Sequence, residues 1–388
     1  MKMLPFEYAV RNLGRSPGRM ILSVGGSILV VLLVLTAGGF VTGMQRALVD
    51  SGNERNMILL GSGSEESLER SEIPMRTPGI VSASIDGLVS RAGIDAVSPE
   101  VHMAMPVATQ DSAGGVLAVI RGVTASAWLV HTDARIIEGR PPEKGGTEIA
   151  IGRMAARSLG FEPVSSALGR SIWIDEQEIR IVGLMGADGG VIEGEFWYPL
   201  TDLQILAQRD SLSCVVLTRS EATPAQVGAF AARRLDLEIT AISEEEYFST
   251  LASFYRPIEL MVILTAILIA VGGILGGLNT NYATFASRVR EMGTLQTLGY
   301  GRLAICWSLL QESLLASSLG VLVACVLGLT LLDGQAIRFS MGVFGIEINA
   351  LVVAGGVFAG LLLGVVGALI PAWRCLQLPI PEALRTSA

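Results

Sequence analysis

Two histidines, His102 and His131, are the chain's whole supply of side chains that ordinarily titrate near neutral pH. Neither falls in a His-Glu-x-x-His motif or in a close run of His, Cys, Asp and Glu, so the sequence predicts no metal centre. No Gly-x-Ser-x-Gly nucleophile elbow is present. A phosphate-cradling P-loop ends in Gly-Lys-Ser/Thr, and neither lysine, Lys2 nor Lys144, follows a glycine. ATP therefore cannot be held through that motif. The acidic run Glu244–Glu246 lacks the spaced oxygen ligands of a calcium loop and reads as a solvated face or the start of a juxtamembrane helix. No catalytic residue, metal ligand or cofactor site is expected, and the chain does not read as an enzyme.

Two features with chemistry remain. Glu312 is the one ionisable residue inside a long apolar run, Leu303 to Leu332, and a carboxylate in such a place is costly. About ten residues in from the run's start, roughly 15 Å at helical rise, it lies within reach of hydration. A structural hydrogen-bonding role is favoured over a proton relay. The second feature is the stretch 286–304, ASRVREMGTLQTLGYGRLA, with Arg288, Arg290 and Arg302 against Glu291. Val289, Met292, Leu295 and Leu298 recur every third residue and predict an apolar stripe on a short helix, with Gly299 as the glycine that ends it. The stripe could lie on a membrane surface or dock in a groove of a soluble partner.

The elements that must carry these residues follow from composition. The chain is 51% hydrophobic and 16% charged. No ionisable residue occurs between Arg19 and Arg46, between Glu259 and Arg288, or between Glu347 and Arg374. Each run exceeds the roughly 20 apolar residues that span a bilayer. The expected fold is an α-helical membrane protein of four transmembrane helices, with an α+β extracytoplasmic domain inserted between helices 1 and 2. The segments are a cytoplasmic amphipathic helix (1–19), span 1 (20–45), the outer domain (46–257), span 2 (258–281), a cytoplasmic coupling segment (282–302), span 3 (303–332), a short outer loop (333–348), span 4 (349–373) and a cytoplasmic tail (374–388). The first apolar run exceeds the roughly 7–15 residues of a signal peptide, so retention as a span is expected. Basic flanks (Lys2, Arg11, Arg15 and Arg19; Arg288, Arg290 and Arg302; Arg374 and Arg385) place both termini in the cytoplasm.

Residues 46–259 hold 18 basic and 30 acidic residues, an excess that argues against a nucleic-acid partner. Only Cys214 of the four cysteines lies there, so that domain has no internal disulfide. Residues 114–124 and 171–185 read as strands, the latter with a turn at 175–177. Residues 223–236 read as a helix capped by Thr223 with Pro224 at its first position, and 84–93 as a weaker helix. Residues 61–80 read as an exposed connector. The spans carry glycines at helical spacing: Gly272/Gly276 and Gly273/Gly277 in span 2, and Gly356, Gly360 and Gly364 in span 4. Such spacing lets helix backbones approach closely in lipid. Packing within the chain is the reading for span 4, and packing within the chain or on a second copy for span 2.

The segment 286–320 resembles the signature of FtsX-like domains in MacB/FtsX-type ABC transporter permeases, through its R-x-R-E-x-G-x-L-x-x-L-G core. PAWRCLQLPIPEALR (371–385) resembles that family's closing motif, and EYAVRNLGRSPGRM (7–20) the basic helix before its first span. GRPPEKGGTEIAIGRMAARSLG (139–160) and LGRSIWIDEQEIRIVGLM (168–185) resemble the MacB-like periplasmic core domain. The resemblance implies a permease dimer, of identical or paralogous subunits, in the bacterial cytoplasmic (inner) membrane. It implies a separate cytoplasmic ATP-binding subunit that holds ATP and Mg, a possible periplasmic adaptor, and contact with membrane lipid. It further implies that Arg288, Arg290, Glu291, Met292, Leu295 and Leu298, shaped by Gly293 and Gly299, form the face on which the ATPase docks. The function implied is mechanical export of an amphiphile, lipoprotein or peptide from the periplasmic side. The alternative is an FtsX-like, non-transporting transmitter that regulates an external cell-wall hydrolase.

Overall fold

A computed structural model describes residues 4–15, 17–49, 51–110, 115–339 and 342–385. Four helices are long and apolar enough to cross a membrane: Met20–Val49, Glu244–Ala286, Arg302–Leu332 and Ala350–Leu376. By internal contacts the chain divides into a helical unit (residues 1–42, 257–333 and 346–388) and a sheet unit (43–256 and 334–345). Most of the sheet unit precedes the second long helix along the chain. The loop assigned to 333–348 contains a hairpin, Ala336–Phe339 paired with Gly342–Gly345, which clusters with the sheet unit.

The sheet unit is built on ten strands. Along the sheet they run Ile239–Ser243, Asn56–Gly61, Cys214–Thr218, Val97–Thr109, Val116–Val123, Phe196–Pro199, Glu148–Gly152, Gln177–Gly186 and Arg135–Gly139, with Ser171–Ile174 pairing Val97–Thr109 and Gln177–Gly186. Most pairings are antiparallel; Phe196–Pro199 with Val116–Val123 and Glu148–Gly152 with Gln177–Gly186 are parallel. Val97–Thr109 serves three neighbours, pairing first with Cys214–Thr218, then with Val116–Val123, and at its end also with Ser171–Ile174. Side chains alternate across the sheet. Val101, Ile120, Phe196, Tyr198, Val215 and Leu217 are all buried in one apolar core. Burial of that face supplies the main driving force for the unit, roughly 25 cal/mol per Å² of apolar surface.

Several local expectations meet the structure. The turn between Ser171–Ile174 and Gln177–Gly186 uses Asp175 and Glu176, both at positive φ, as a two-residue hairpin turn requires. Thr223 caps Pro224–Arg233 in a reciprocal capping box with Gln226. The strand read at 114–124 spans Val116–Val123, and Gly114 lies outside the described residues. The helix read at 84–93 is displaced: helix occupies Thr77–Ser84, with Pro78 in its first turn, and the chain then turns through Gly87 at φ +81. There an added Cβ would meet Ala222 N at 2.8 Å, so the close approach itself requires glycine. The supposed connector 61–80 is in part a packed segment. Leu68 and Ile73 are buried, and the Ser71 hydroxyl accepts from Gly61 N (2.8 Å) and donates to Ser213 O (2.5 Å).

In the helical unit, Gly356, Gly360, Gly364 and Gly367 of Ala350–Leu376 face inward. A Cβ at Gly356 would meet Leu35 at 2.9 Å, while Gly360 abuts Val321 and Val31 and Gly364 abuts Ser317. Ser313 donates to Gly364 O (2.9 Å) and Asn281 to Gly367 O (2.9 Å), so each exposed carbonyl edge gains a partner. The second long helix behaves differently. Gly273 packs on Val30, but Gly272 and Gly276 have nothing within 4 Å. Only 6% of its most apolar window is buried, against 28%, 33% and 28% for the others.

Candidate functional site

The short helix is Val289–Thr297. It ends as its sequence requires: Gly299 sits at φ +87, Tyr300 N donates to Leu295 O (3.1 Å) and Gly299 N to Gln296 O (3.0 Å). These paired bonds are the glycine-dependent helix stop in which two otherwise orphaned carbonyls are satisfied. Behind the helix lies a small core of its own. Val289 and Met292 pack with Phe285, Ile305, Leu309, Ala372 and Leu376, and Gly293 admits the C-terminal helix Ile380–Arg385, whose Ala383 Cβ lies 3.2 Å from the Gly293 Cβ position.

Polar contacts fix the start of the helix. Arg288 donates from Nη1 to both oxygens of Glu312 (3.2 and 2.8 Å) and from Nε to Glu291 (2.9 Å). Glu291 also accepts from the Tyr8 hydroxyl, with Arg15 at 4.0 Å. One guanidinium thus ties the helix to the third span, and one carboxylate ties it to the N-terminal helix Phe6–Gly14. Burial disfavours the charge on Arg288, but Glu312 and Glu291 more than offset it, and its pKa is raised. Burial likewise pushes Glu291 upward, while Tyr8 and Arg288 outweigh it and hold the carboxyl below its usual range. Glu312 is therefore an ion-paired carboxylate in a partly buried setting.

The predicted docking residues do not share one face. Met292 and Gly293 are buried, so the assignment of Met292 to a docking surface is corrected: Val289, Met292 and in part Leu295 of the stripe face this chain's own helices. Glu291 and Arg288 are engaged within the chain, and Leu295 is half-buried against the same core. Arg290, Leu298 and Gly299 are exposed, Leu298 by 65%. The glycine set also splits: Gly273, Gly356 and Gly360 pack within the chain, Gly277 only touches Leu363 at 4.0 Å, and Gly272 and Gly276 are open.

A second constellation, in the sheet unit, escaped the sequence reading, which found no close His/Cys/Asp/Glu cluster. Strand register assembles it. Glu100 lies opposite Cys214, His102 opposite Arg121, and Trp197 opposite Arg121 on the other side. Because side chains at i and i+2 share a face, Glu100 and His102, Glu195 and Trp197, and Arg121 converge there. Glu100 is fully buried and meets His131 Nε2 (2.7 Å), His102 Nε2 (3.2 Å) and Arg121 (3.0 Å). Arg121 also donates to Glu195 (2.5 Å), whose other oxygen accepts from Trp197 Nε1 (2.9 Å). Glu244 accepts from Asn56 (2.8 Å) and Asn53 N (3.1 Å) and lies 3.8 Å from His131 Nδ1.

An ionised carboxylate can only accept, so the 2.7 Å contact puts a proton on His131 Nε2. Burial opposes charging His131, but Glu100 outweighs it and raises its pKa; burial pushes Glu100 up, yet His131 and Arg121 hold it well below the usual carboxylate range. Ligand atoms of Glu100, His102 and Cys214 lie within 4.8 Å of one another, which geometrically could hold a cation. Glu100 already serves three donors, and burial pushes the Cys214 thiol well up. Both facts favour an ion-pair network over a cation site. The signal for the cluster was the i,i+2 pair Glu100/His102, but its partners come from strands brought together only by pairing.

Sequence comparisons match residues 20–233 to the MacB-like periplasmic core domain and residues 263–380 to the FtsX-like permease C-terminal region. An uncharacterized ABC transporter permease, YknZ of Bacillus subtilis, is 25% identical over 57% of this chain and 57% of its own. The macrolide export ATP-binding/permease protein MacB of Nitrobacter winogradskyi is 27% identical over 62% of this chain and 38% of its own. The matches thus cover less than two thirds of these relatives' lengths. Among solved structures, the periplasmic region of MacB from Actinobacillus actinomycetemcomitans aligns with a TM-score of 0.40 at 10% identity, covering 52% of this chain and 95% of that one. With both domain models matched in order over most of its length, the chain belongs to the ABC transporter permeases that join a MacB-like periplasmic core domain to an FtsX-like permease region.

Proposed function

We propose that this chain is the membrane-spanning subunit of an ABC transporter driven by a separate cytoplasmic ATP-binding subunit that holds ATP and Mg. The observation that carries the reading is the Arg288 junction. Its side chain joins Glu291 on the short helix to Glu312 in the third span, so force applied to the helix reaches a span through ion pairs rather than a flexible loop. Arg290 and Leu298 offer the exposed contact points, and the helix is backed by a packed core that resists deformation.

In this reading both termini and the short helix are cytoplasmic, the sheet unit is inserted between spans 1 and 2 on the periplasmic side of the inner membrane, and a second copy or paralogue completes a dimer. The cargo is an amphiphile, lipoprotein or peptide taken from the periplasmic side, with or without an adaptor. The basic flanks support the orientation. The open Gly272/Gly276 edge and the sparse burial of the second long helix support a partner copy.

Leu298→Asp tests the docking reading, because it places a charge on an exposed residue without touching the core behind it; Leu295→Asp would disturb packing as well. Copurification with the cognate ATP-binding subunit should fall by about tenfold, the effect of losing one interface anchor, while the thermal midpoint stays unchanged. Full copurification with retained ATPase stimulation would overturn the assignment.

A further inference from the structure

The polar face of the sheet does not close over. Beside the cluster lies a cavity of about 120 Å³ within the sheet unit. Arg121, Glu195 and His102 form its polar lining, and its apolar walls include Leu48, Leu68, Tyr247, Phe248, Val343 and Phe344. The register explains the mixture, since Val119 and Arg121 share a face of one strand and both line the cavity.

Arg121 is only 5% exposed, and its guanidinium charge is already met by Glu100 and Glu195, at 3.0 and 2.5 Å. An anionic group would therefore bring a further negative charge beside Glu195 and be repelled, and a cationic group would be repelled by Arg121. An uncharged hydroxyl fits this lining, since its proton can be donated to Glu195, whose carboxylate oxygens each accept more than one bond. Size sets the rest: an apolar cavity of about 150 Å³ holds benzene, so this one takes a ring or branched alkyl group of similar or slightly smaller size, not a whole lipid.

We propose that this cavity binds an uncharged, hydroxyl-bearing aryl or alkyl group, presented free or as the end of a larger amphiphile. The site goes beyond the permease reading and stands without it, because binding is read in the absence of any ATP-binding subunit.

The test is equilibrium dialysis of the full chain in lipid nanodiscs, with empty nanodiscs as the partition control. The probes are phenol and benzene, which share a ring and differ by the hydroxyl. Phenol should bind in excess of the control and more tightly than benzene by at least about tenfold. Val343→Trp, which fills the cavity from a wall residue that takes part in no ion pair, should abolish binding. Absence of binding overturns the site. Equal binding of both probes overturns the hydroxyl recognition. Binding that survives Val343→Trp in a variant with an unchanged thermal midpoint places the ligand elsewhere.

Discussion

At the scale of single residues, the chain's only two histidines sit in the same buried network. Glu100 and Glu195 share one arginine there, and Glu100 and Glu244 flank His131, so protonation of His131 offsets an otherwise unbalanced negative charge. The sign of the pH dependence follows from the two shifts. His131 is raised above 6.5, so its contribution is complete below that value and is lost as pH rises through its higher folded value. Glu100 is held well below 4.5, so its contribution is present above that value and is lost only in stronger acid. The thermal midpoint of the full chain should therefore decline as pH is raised above 6.5, and His131→Gln should flatten that decline. Parallel midpoint curves for the two proteins between pH 6 and 9 would refute the linkage. In the helical unit, Arg288 plays a comparable role, since it gives Glu312 a counter-ion that offsets the cost of a carboxylate inside a long apolar helix.

At the scale of elements, the two glycine-bearing helices show why spacing alone is ambiguous. The Gly356/Gly360/Gly364 face is consumed by the first and third spans of the same chain. The Gly272/Gly276 face is not consumed at all, although its sequence spacing is identical. Gly360→Leu should overpack the contact with Val321 and destabilise the monomer by about 1–3 kcal/mol. Gly276→Leu should leave monomer stability unchanged and weaken self-association, read by crosslinking in membranes. Reduced monomer stability with intact association in the Gly276 variant would assign that face to internal packing. The short helix at 289–297 teaches the same lesson. Its stripe was visible in the sequence, but Val289, Met292 and Leu295 turn toward the chain's own core, while Arg290 and the stripe's last member, Leu298, are left exposed.

At the scale of the whole molecule, the chain pairs a sheet unit that is acidic in sequence with a helical unit whose exposed residues are largely apolar, as lipid contact requires. The proposed orientation makes a direct prediction. A cysteine at Leu235, 82% exposed, should react with an impermeant maleimide on intact spheroplasts. A cysteine at Leu298, 65% exposed, should react only after lysis. The chain's own cysteines are buried or half-buried and give a low background. Labelling of Leu298→Cys in intact spheroplasts would invert the topology.

Composition and local chemistry were enough to identify the four long apolar helices, the capped helix behind Thr223, the hairpin turn at Asp175–Glu176 and the glycine stop at Gly299. Each is written in a run of neighbouring residues: apolar length, a cap with its N3 partner, or a glycine where φ must be positive. The family motifs are likewise contiguous. What the sequence could not decide depends on which strands and helices become neighbours. Whether Met292 faces out or in turns on the C-terminal helix that packs over Gly293. Whether Gly276 is buried turns on where the other spans lie. The Glu100–His102–Arg121–His131–Glu195 network draws on residues up to 95 positions apart, between Glu100 and Glu195. Strand register puts Glu100, His102 and Arg121 on one face, since a one-residue slip would send Arg121 to the apolar core, and His131 is brought in at the end of the helix Ala127–Val130. Sequence fixes local conformation because its causes are local; ion pairs, cavities and free faces are properties of pairing and packing, which only the tertiary structure supplies.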